Sequence, residues 1–312
     1  FVLLFSLERS SAVFAQSEAV FIRQIRAFDR DNVGDLDPVG LAFSPEAETF
    51  LVVEAGTITH SSRVVTNVTM ITALEERIGS VPIEANIFDA INVAFDSRFG
   101  RLLLIDSANN ELIEIKAGPD GTVDSSTLIR HDARHFGIAI AQGMTVDPAS
   151  GHLFIVDSSG PQIVRVEPGL DGGFDQAAVS IMDLKSTGLE EVRGIAFDPD
   201  SGHLHLYSPR DQELVELTQS GQFVAGRDMS GFDLQMPQAM VFAPSGDQTD
   251  DPAKRSLYLA DRGSVVQTQA ANSGKSGQTN PAGFQTYMPL VMNNSSGDSD
   301  NGGEQEPGTI IE

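Results

Sequence analysis

The sequence predicts an all-β fold made of five copies of one antiparallel unit, and two observations support this prediction. One pattern recurs along the chain, most clearly as QGMTVDPASGHLFIVD from Gln142 to Asp157 and as RGIAFDPDSGHLHLYS from Arg193 to Ser208. The copies are also evenly spaced. The residue that ends the second strand of each copy follows the previous one at intervals of 52, 51, 51 and 53 residues. Such a period indicates an array of equivalent structural units. The closing residues are Glu54, Asp106, Asp157, Ser208 and Asp261.

The residues inside each copy predict strands joined by tight turns. In HLFIVD, at 152–157, the apolar residues run without interruption, as in a buried strand, whereas QIVRVE, at 162–167, alternates, as in a strand nearer the surface. Pro148 and Gly151 lie in the turn between these first two strands, where proline fixes φ and glycine allows the left-handed conformation. No copy shows an amphipathic helical pattern, so each unit is expected to be a meander of three or four strands.

The residue that ends the first strand of each copy is also repeated. It is phenylalanine in four copies and valine in the other, and it precedes the closing residue by 11 positions in every copy except the last. The last copy carries an eight-residue insertion, SGDQTDDP, between its first two strands. The repeated positions are Phe43, Phe95, Val146, Phe197 and Phe242.

Four-stranded units of this length are typical of the blades of a β-propeller. We expect about five four-stranded blades over residues 16–269, with six as the alternative. The fifth copy has a third strand at 264–269 but no apolar fourth strand, whereas VFIRQIRAF, at 20–28, precedes the first copy without an assigned place. The N-terminal strand is therefore expected to complete the last blade and close the ring, which removes an unpaired sheet edge.

Composition limits the partners that the chain can have. It carries 44 acidic and 20 basic residues, a net charge of −24, and this surface should repel nucleic acids and anionic membranes. Cysteine is absent, so disulfides and thiolate metal sites are excluded. No run reaches the ~18 apolar residues of a membrane-spanning helix. We expect a monomer that binds a protein or a carbohydrate.

The two ends of the chain differ from the repeats. The apolar FVLLFSL at 1–7, with the small residues Val13 and Ala15 before Gln16, resembles the end of a secretory signal peptide. Residues 1–15 are therefore expected to direct export to the cell surface or beyond, the alternative being an N-terminal extension. Residues 270–312 are rich in Gly, Ser, Asn and acids and predict a flexible tail.

The repeated pattern, with an apolar-Ala-apolar-Asp first strand, a turn and a second strand closed by an acid, resembles the NHL repeat and the related propellers of the senescence-marker and gluconolactonase group. The resemblance covers about residues 39–269 and concerns positions that are structural. It implies a propeller, usually of six blades, and in the lactonase-like members a divalent cation bound by Glu, Asn and Asp at the starts of the inner strands. At those positions this chain has Asn92 and no carboxylate. We therefore expect no metal and no cofactor.

The start of each innermost strand is the predicted binding site, because these positions surround the mouth of a propeller's channel. Arg193 is the one charged member and could bind an anion or pair with Glu190, Glu191 or an acid of a neighbouring blade. Gln142 and Gln238 could bind a ligand or satisfy backbone groups. The aligned pairs are Val39-Gly40, Ile91-Asn92, Gln142-Gly143, Arg193-Gly194 and Gln238-Ala239. The candidate ligand-binding residues are Asn92, Gln142, Arg193 and Gln238.

Catalytic groups are not predicted. The repeated acids are better explained as turn residues that accept backbone hydrogen bonds, since a role needed in every blade is structural. His131 and His135 have a metal-binding spacing only if their segment is helical, and no G-x-S-x-G motif is present. The predicted function is a noncatalytic exported propeller that recognises its ligand through the channel mouth and loops. The alternatives are a hydrolase or lactonase, and a scaffold for an appended C-terminal domain.

Overall fold

The structure is a computed structural model. It describes residues 36–261 except 59–63, 84–85, 119–121, 190, 233, 235–236 and 246–254, together with short pieces at 22–24, 27–28, 33, 286–287 and 290–292. In these residues the chain is almost entirely antiparallel β-structure. The strands are β1 (Ile22–Gln24), β2 (Ala27–Phe28), β3 (Pro38–Ser44), β4 (Thr49–Glu54), β5 (Thr57–Ile58), β6 (Val64–Thr72), β7 (Arg77–Ile83), β8 (Ala90–Asp96), β9 (Arg101–Asp106), β10 (Glu111–Ala117), β11 (Val123–Asp132), β12 (Ala141–Val146), β13 (Leu153–Asp157), β14 (Gln162–Glu167), β15 (Ala178–Asp183), β16 (Gly194–Asp198), β17 (His203–Ser208), β18 (Glu213–Leu217), β19 (Phe223–Asp228), β20 (Pro237–Pro244), β21 (Arg255–Asp261), β22 (Thr286–Tyr287) and β23 (Leu290–Met292).

Five sheets of the described residues are the blades of a β-propeller, and β2 and β22 form a separate two-stranded sheet. Blade 1 has the order β3-β4-β6-β7, with the short β5 also paired to β6. Blades 2, 3 and 4 are β8 to β11, β12 to β15 and β16 to β19. Blade 5 has the order β20-β21-β23-β1. The predicted all-β propeller with four-stranded blades is confirmed.

The innermost strands close a ring. Each of β3, β8, β12, β16 and β20 pairs with a partner strand on one side, and its other edge faces the propeller axis. Each contacts the innermost strand of the next blade, and β20 of blade 5 contacts β3 of blade 1. Five blades therefore complete the circle.

The N-terminal strand is the outermost strand of blade 5, as predicted. It pairs with β23 in the register Ile22↔Met292, Arg23↔Val291 and Gln24↔Leu290, and β23 pairs with β21 through Leu257↔Leu290. The place next to β21 is thus held by β23, whereas the third strand predicted at 264–269 lies outside the described residues. The boundaries of the signal peptide at 1–15 and of the tail at 270–312 remain predictions.

Burial follows the layers of each blade. Every residue of the second strands β9 and β13 is buried, β14 alternates between buried and half-buried residues, and most of β15 is exposed. This agrees with the uninterrupted and alternating patterns of the sequence. The buried side chains of adjacent blades pack against each other and form the cores.

Short connections join the blades. Three 3-10 helices, Ala133–Phe136, Lys185–Thr187 and Ser230–Phe232, follow the outermost strands of blades 2, 3 and 4. In the described part of the chain no helix is long and apolar enough to cross a membrane. The predicted turns also form, and Gly151 has φ of 74° where its N–H donates to the Asp147 carbonyl at 2.8 Å.

Candidate functional site at the channel mouths

The innermost strands begin with a β-bulge that recurs around the ring. In four blades the register shifts across one residue, which is Val39, Ile91, Gln142 or Gln238. In blade 4 the equivalent residue is Arg193, whose N–H donates to the Tyr207 carbonyl at 3.0 Å. A bulge bends a strand and re-aims its side chains. The residues that the sequence alignment makes equivalent therefore surround one end of the channel, which we call the strand-start mouth.

Adjacent inner strands approach closely just inside this mouth. A Cβ atom added at Gly40 would lie 2.8 Å from the Val93 nitrogen, and one added at Gly143 would lie 3.0 Å from the Arg193 oxygen. Glycine is required where main chains come this close. The channel is therefore narrow at this level, and a ligand at the strand-start mouth would contact the rim.

Asn92 directly follows the bulge of blade 2 and is 1% exposed. Its Oδ1 accepts a hydrogen bond of 2.7 Å from the Val93 N–H, while its buried Nδ2 has no partner in the described residues. A Cβ added at Gly143 would lie 3.5 Å from that Nδ2, so the amide points toward the neighbouring blade. Asn92 thus keeps a buried amide nitrogen whose two N–H donors no described residue accepts.

The other predicted site residues lie at the rim. The Arg193 Nε donates to Glu191 Oε1 at 2.7 Å, and the two side chains are 43% and 42% exposed. The predicted pairing of Arg193 with a neighbouring glutamate is therefore confirmed. Gln142 and Gln238 are half-buried on the flanking blades. The structure brings the four residues to one end of four consecutive blades, and their use in binding remains a prediction.

The repeated acids hold the loops of this mouth. Asp157 accepts hydrogen bonds from the backbone N–H groups of Ala139, Ile140 and Ser159 at 3.2, 2.9 and 3.0 Å. Burial alone would raise the pKa of Asp157, but these donors hold it below its ordinary value. Asp106 accepts equivalent bonds from the N–H groups of residues 88 and 89. The predicted structural role is confirmed for both acids.

Glu54 differs from the other repeated acids, because its Oε1 accepts a hydrogen bond from the Thr69 hydroxyl at 2.6 Å. The histidine pair does not form a metal-binding helix, since His131 lies in β11 and His135 in the following 3-10 helix. His131 Nε2 lies 3.1 Å from Glu114 Oε2. Among the described residues, no three His, Asp or Glu side chains are grouped so that they could hold a metal ion.

Two exposed apolar side chains at the strand-start mouth were not predicted. Phe88 is 60% exposed and Ile140 is 51% exposed, and both lie in the loops that enter innermost strands. Asp106 and Asp157 fix the backbone of these loops. An apolar residue in a sequence pattern suggests burial, so its exposure becomes evident only in the folded ring.

The opposite end of the channel, which we call the strand-end mouth, contains a cavity of about 110 Å³. Its rim carries Arg255 and the turn residues Pro45, Pro148 and Pro199. The sequence pattern did not predict this cavity, although the recurring phenylalanine marks its walls. Its apolar walls include Phe43, Phe95, Val146, Phe197 and Phe242.

Comparisons with known proteins identify the fold alone. No family model and no curated protein matches the chain. Among solved structures, a luciferin-regenerating enzyme is similar with a TM-score of 0.51 and 12% identity over 88% of this chain and 96% of that chain. A structure of a nidogen/laminin complex has a TM-score of 0.47 and 18% identity over 72% of each chain. A streptogramin B lyase has a TM-score of 0.42 and 10% identity over 77% of this chain and 80% of that chain.

A likeness at 12% identity shows the fold alone, and a fold does not decide a function. The resemblance noted in the sequence holds for the propeller fold.

Proposed function

We propose that this chain is a noncatalytic propeller that recognises a protein partner through its strand-start mouth and the surrounding loops. The observation that carries this proposal is the pair of exposed apolar side chains, Phe88 and Ile140, beside the rim residue Arg193. They belong to blades 2, 3 and 4 and so form an arc along one side of the mouth.

The composition of this arc favours a protein over a carbohydrate. Aromatic residues and arginine are enriched in the centres of protein interfaces, and exposed apolar residues with a polar rim mark interaction sites. Arg193 and Glu191 form an exposed pair, which is worth little to stability and leaves both charges accessible to a partner. Gln142 belongs to blade 3, which lies between the blades of Phe88 and Arg193, and it would supply hydrogen bonds to the partner.

The mouth is also rigid where it would bind. The carboxylates of Asp106 and Asp157 fix the loops that carry Phe88 and Ile140 through two backbone hydrogen bonds each. A preformed surface loses little entropy on association. Because the same hydrogen bonds occupy these acids, they are poorly placed to act as the acid and base of a hydrolase.

Site-specific photocrosslinking tests this proposal. A benzophenone amino acid replaces Phe88 in one sample and Phe223 in another; Phe223 is a matched control because it is 57% exposed on the outermost strand of blade 4. Both samples are irradiated with cell-surface protein extracts, and captured proteins are identified by mass spectrometry. Affinity of each purified partner is then measured for the unchanged chain, Phe88→Ala and Arg193→Ala.

We expect position 88 to capture a protein that position 223 does not. Both alanine variants should bind it at least ~10-fold more weakly at an unchanged melting temperature, because the replaced side chains are exposed. Capture of the same proteins from both positions, or unchanged affinity of both variants, would contradict the proposal. Binding of a defined glycan that depends on Arg193, or lactone hydrolysis that depends on Asn92, would instead favour the carbohydrate or the enzyme alternative.

The setting of this function is also a proposal. We infer that the chain acts as a monomer outside the cell or at its surface, on the basis of the apolar segment at 1–7 and the small residues before Gln16. The polar composition of 270–312 supports a flexible tail on either side of β22 and β23, which pair with β2 and with blade 5. The repeated pattern supports kinship with the NHL and gluconolactonase-like propellers.

A further inference from the structure

The cavity at the strand-end mouth lies at the opposite end of the channel from the proposed protein-binding arc. It is built by the same repeated position in every blade, just before each innermost strand ends. Four of the five side chains at this position are phenylalanines, and Val146 of blade 3 is the exception. The valine is smaller than its four counterparts, so the ring of aromatic side chains has a gap at blade 3.

Packing within and between the blades fixes the walls of the cavity. The Phe43 ring lies 5.2 Å from that of Phe50, and the Phe197 ring is stacked at 6.1 Å on that of Phe154. Phe43, Phe197 and Val146 are only 7–9% exposed, so they face the cavity while their other sides are buried. The cavity is therefore preformed, as ligand sites usually are.

The cavity has few polar groups, and they lie at two depths, inside the cavity and at its rim. Inside, the Phe197 N–H donates to Thr145 Oγ1 of the neighbouring blade at 3.1 Å, so these two polar groups satisfy each other. At the rim, Arg255 is one-third exposed and its Nε lies 3.5 Å from Asp200 Oδ1. This contact is long, uses one nitrogen, and involves a carboxylate that is 54% exposed.

A guanidinium carries five donors in a planar fork that matches a carboxylate with two parallel hydrogen bonds. The long contact with Asp200, the one ion pair that Arg255 makes among the described residues, does not use that geometry, and an incoming carboxylate could. An apolar cavity beneath such a rim selects for a ligand with one charged end and one apolar end. A sugar would bury hydroxyl groups against phenylalanine without partners, which is unfavourable.

We propose that this cavity binds a small carboxylic acid, with an aromatic or branched aliphatic tail between the phenylalanine side chains and the carboxylate on Arg255. The size of the cavity limits the tail. A cavity of ~150 Å³ holds benzene, so a volume of about 110 Å³ that opens at the mouth suits one ring or a short branched chain.

The test uses the full chain and defined probes in isothermal titration calorimetry. Phenylacetate and 3-methylbutanoate represent the proposed class; phenylacetamide keeps the ring without the charge, and acetate keeps the charge without the tail. Arg255→Gln removes the guanidinium, and Val146→Phe completes the aromatic ring and fills the cavity. Arg134→Gln is the control, because Arg134 is 68% exposed in a 3-10 helix away from the cavity.

We expect saturable binding of both acids and much weaker binding of phenylacetamide and acetate. Arg255→Gln should weaken binding of phenylacetate by about 10-fold or more, Val146→Phe should abolish it, and Arg134→Gln should leave it unchanged. Melting curves establish that each variant is folded, and Arg255→Gln keeps the test decisive if Val146→Phe is unstable. Absence of saturable binding of both acids, equal affinity for phenylacetate and phenylacetamide, or full affinity in Arg255→Gln would overturn the proposal.

Discussion

His205 is a buried titratable residue whose environment could not be read from the sequence. In HLHLYS, at 203–208, both histidines occupy alternate positions and so share a face of β17. His203 is partly exposed and its Nδ1 lies 2.7 Å from Glu216 Oε1, but His205 is 1% exposed against the Phe242 ring of blade 5. Both of its ring nitrogens lack a hydrogen-bond partner in the described part of the chain.

Burial lowers the pKa of His205 from 6.5 to about 4. Glu216 and Asp198 oppose this shift, whereas Arg227 and His203 add to it. The neutral form is therefore favoured in the folded state. The unfolded chain binds a proton on this residue near pH 6.5, whereas the folded chain binds it only near pH 4. The free energy of unfolding is therefore unaffected by His205 above pH ~6.5 and decreases as the pH falls from 6.5 toward 4.

We predict that His205→Leu reduces the acid sensitivity of the fold. The free energy of unfolding should decrease between pH 7 and pH 4.5 in the unchanged chain. In His205→Leu this decrease should be smaller by roughly 2 kcal/mol. Urea denaturation at the two pH values measures the difference. His135→Leu is the control, because it makes the same replacement at an exposed histidine. Identical pH dependence in His205→Leu and the unchanged chain would show that His205 is not the group responsible.

The strands themselves were largely predictable from sequence. Uninterrupted apolar runs predicted the buried second strands, and Pro-Gly turns predicted their connections, because both are local properties. The short strand β23 was not assigned to a blade, since the apolar island FQTYMPLVM at 284–292, which could dock on the propeller or lead to another domain, gives no periodic signal. Its place depends on partners more than 30 and 260 positions away, at Leu257 and Ile22.

Close approach of the innermost strands gives a prediction for two glycines. Gly40→Ala should reduce the free energy of unfolding by about 1–3 kcal/mol, because the added Cβ would lie 2.8 Å from the main-chain nitrogen of Val93. Gly160→Ala should change it by less than ~0.5 kcal/mol, since nothing lies within 4 Å of the added atom in that turn. Chemical denaturation of both variants provides the comparison. Equal losses of unfolding free energy in the two variants would show that the close spacing of the innermost strands does not require glycine at position 40.

At the scale of the whole molecule, only part of the candidate sites could be predicted. Alignment of the repeats was sufficient to place Asn92, Gln142, Arg193 and Gln238 at one mouth, because equivalent positions in a ring face the same end. The strand-end cavity required the closed ring, since its walls come from five blades and become neighbours only after closure. The exposed arc of Phe88 and Ile140 likewise arises from the placement of loops.

Both proposed sites depend on closure of the ring through blade 5. The chain has no native cysteine, so a single introduced pair can report on this contact. Arg23 and Val291 are cross-strand neighbours in β1 and β23. Opposed residues in antiparallel strands have Cα atoms about 4.5–5.5 Å apart, which is within the range of a disulfide.

The most direct test is therefore oxidation of the double variant Arg23→Cys/Val291→Cys, followed by intact mass and thiol labelling. The account predicts a rapid intramolecular disulfide and a higher melting temperature than in the reduced form. Arg23→Cys/Ser180→Cys is the control, because Ser180 lies on the outermost strand of blade 3. Cross-linking at equal rates in the two variants, or formation of intermolecular dimers alone by the first, would contradict the closed five-bladed ring.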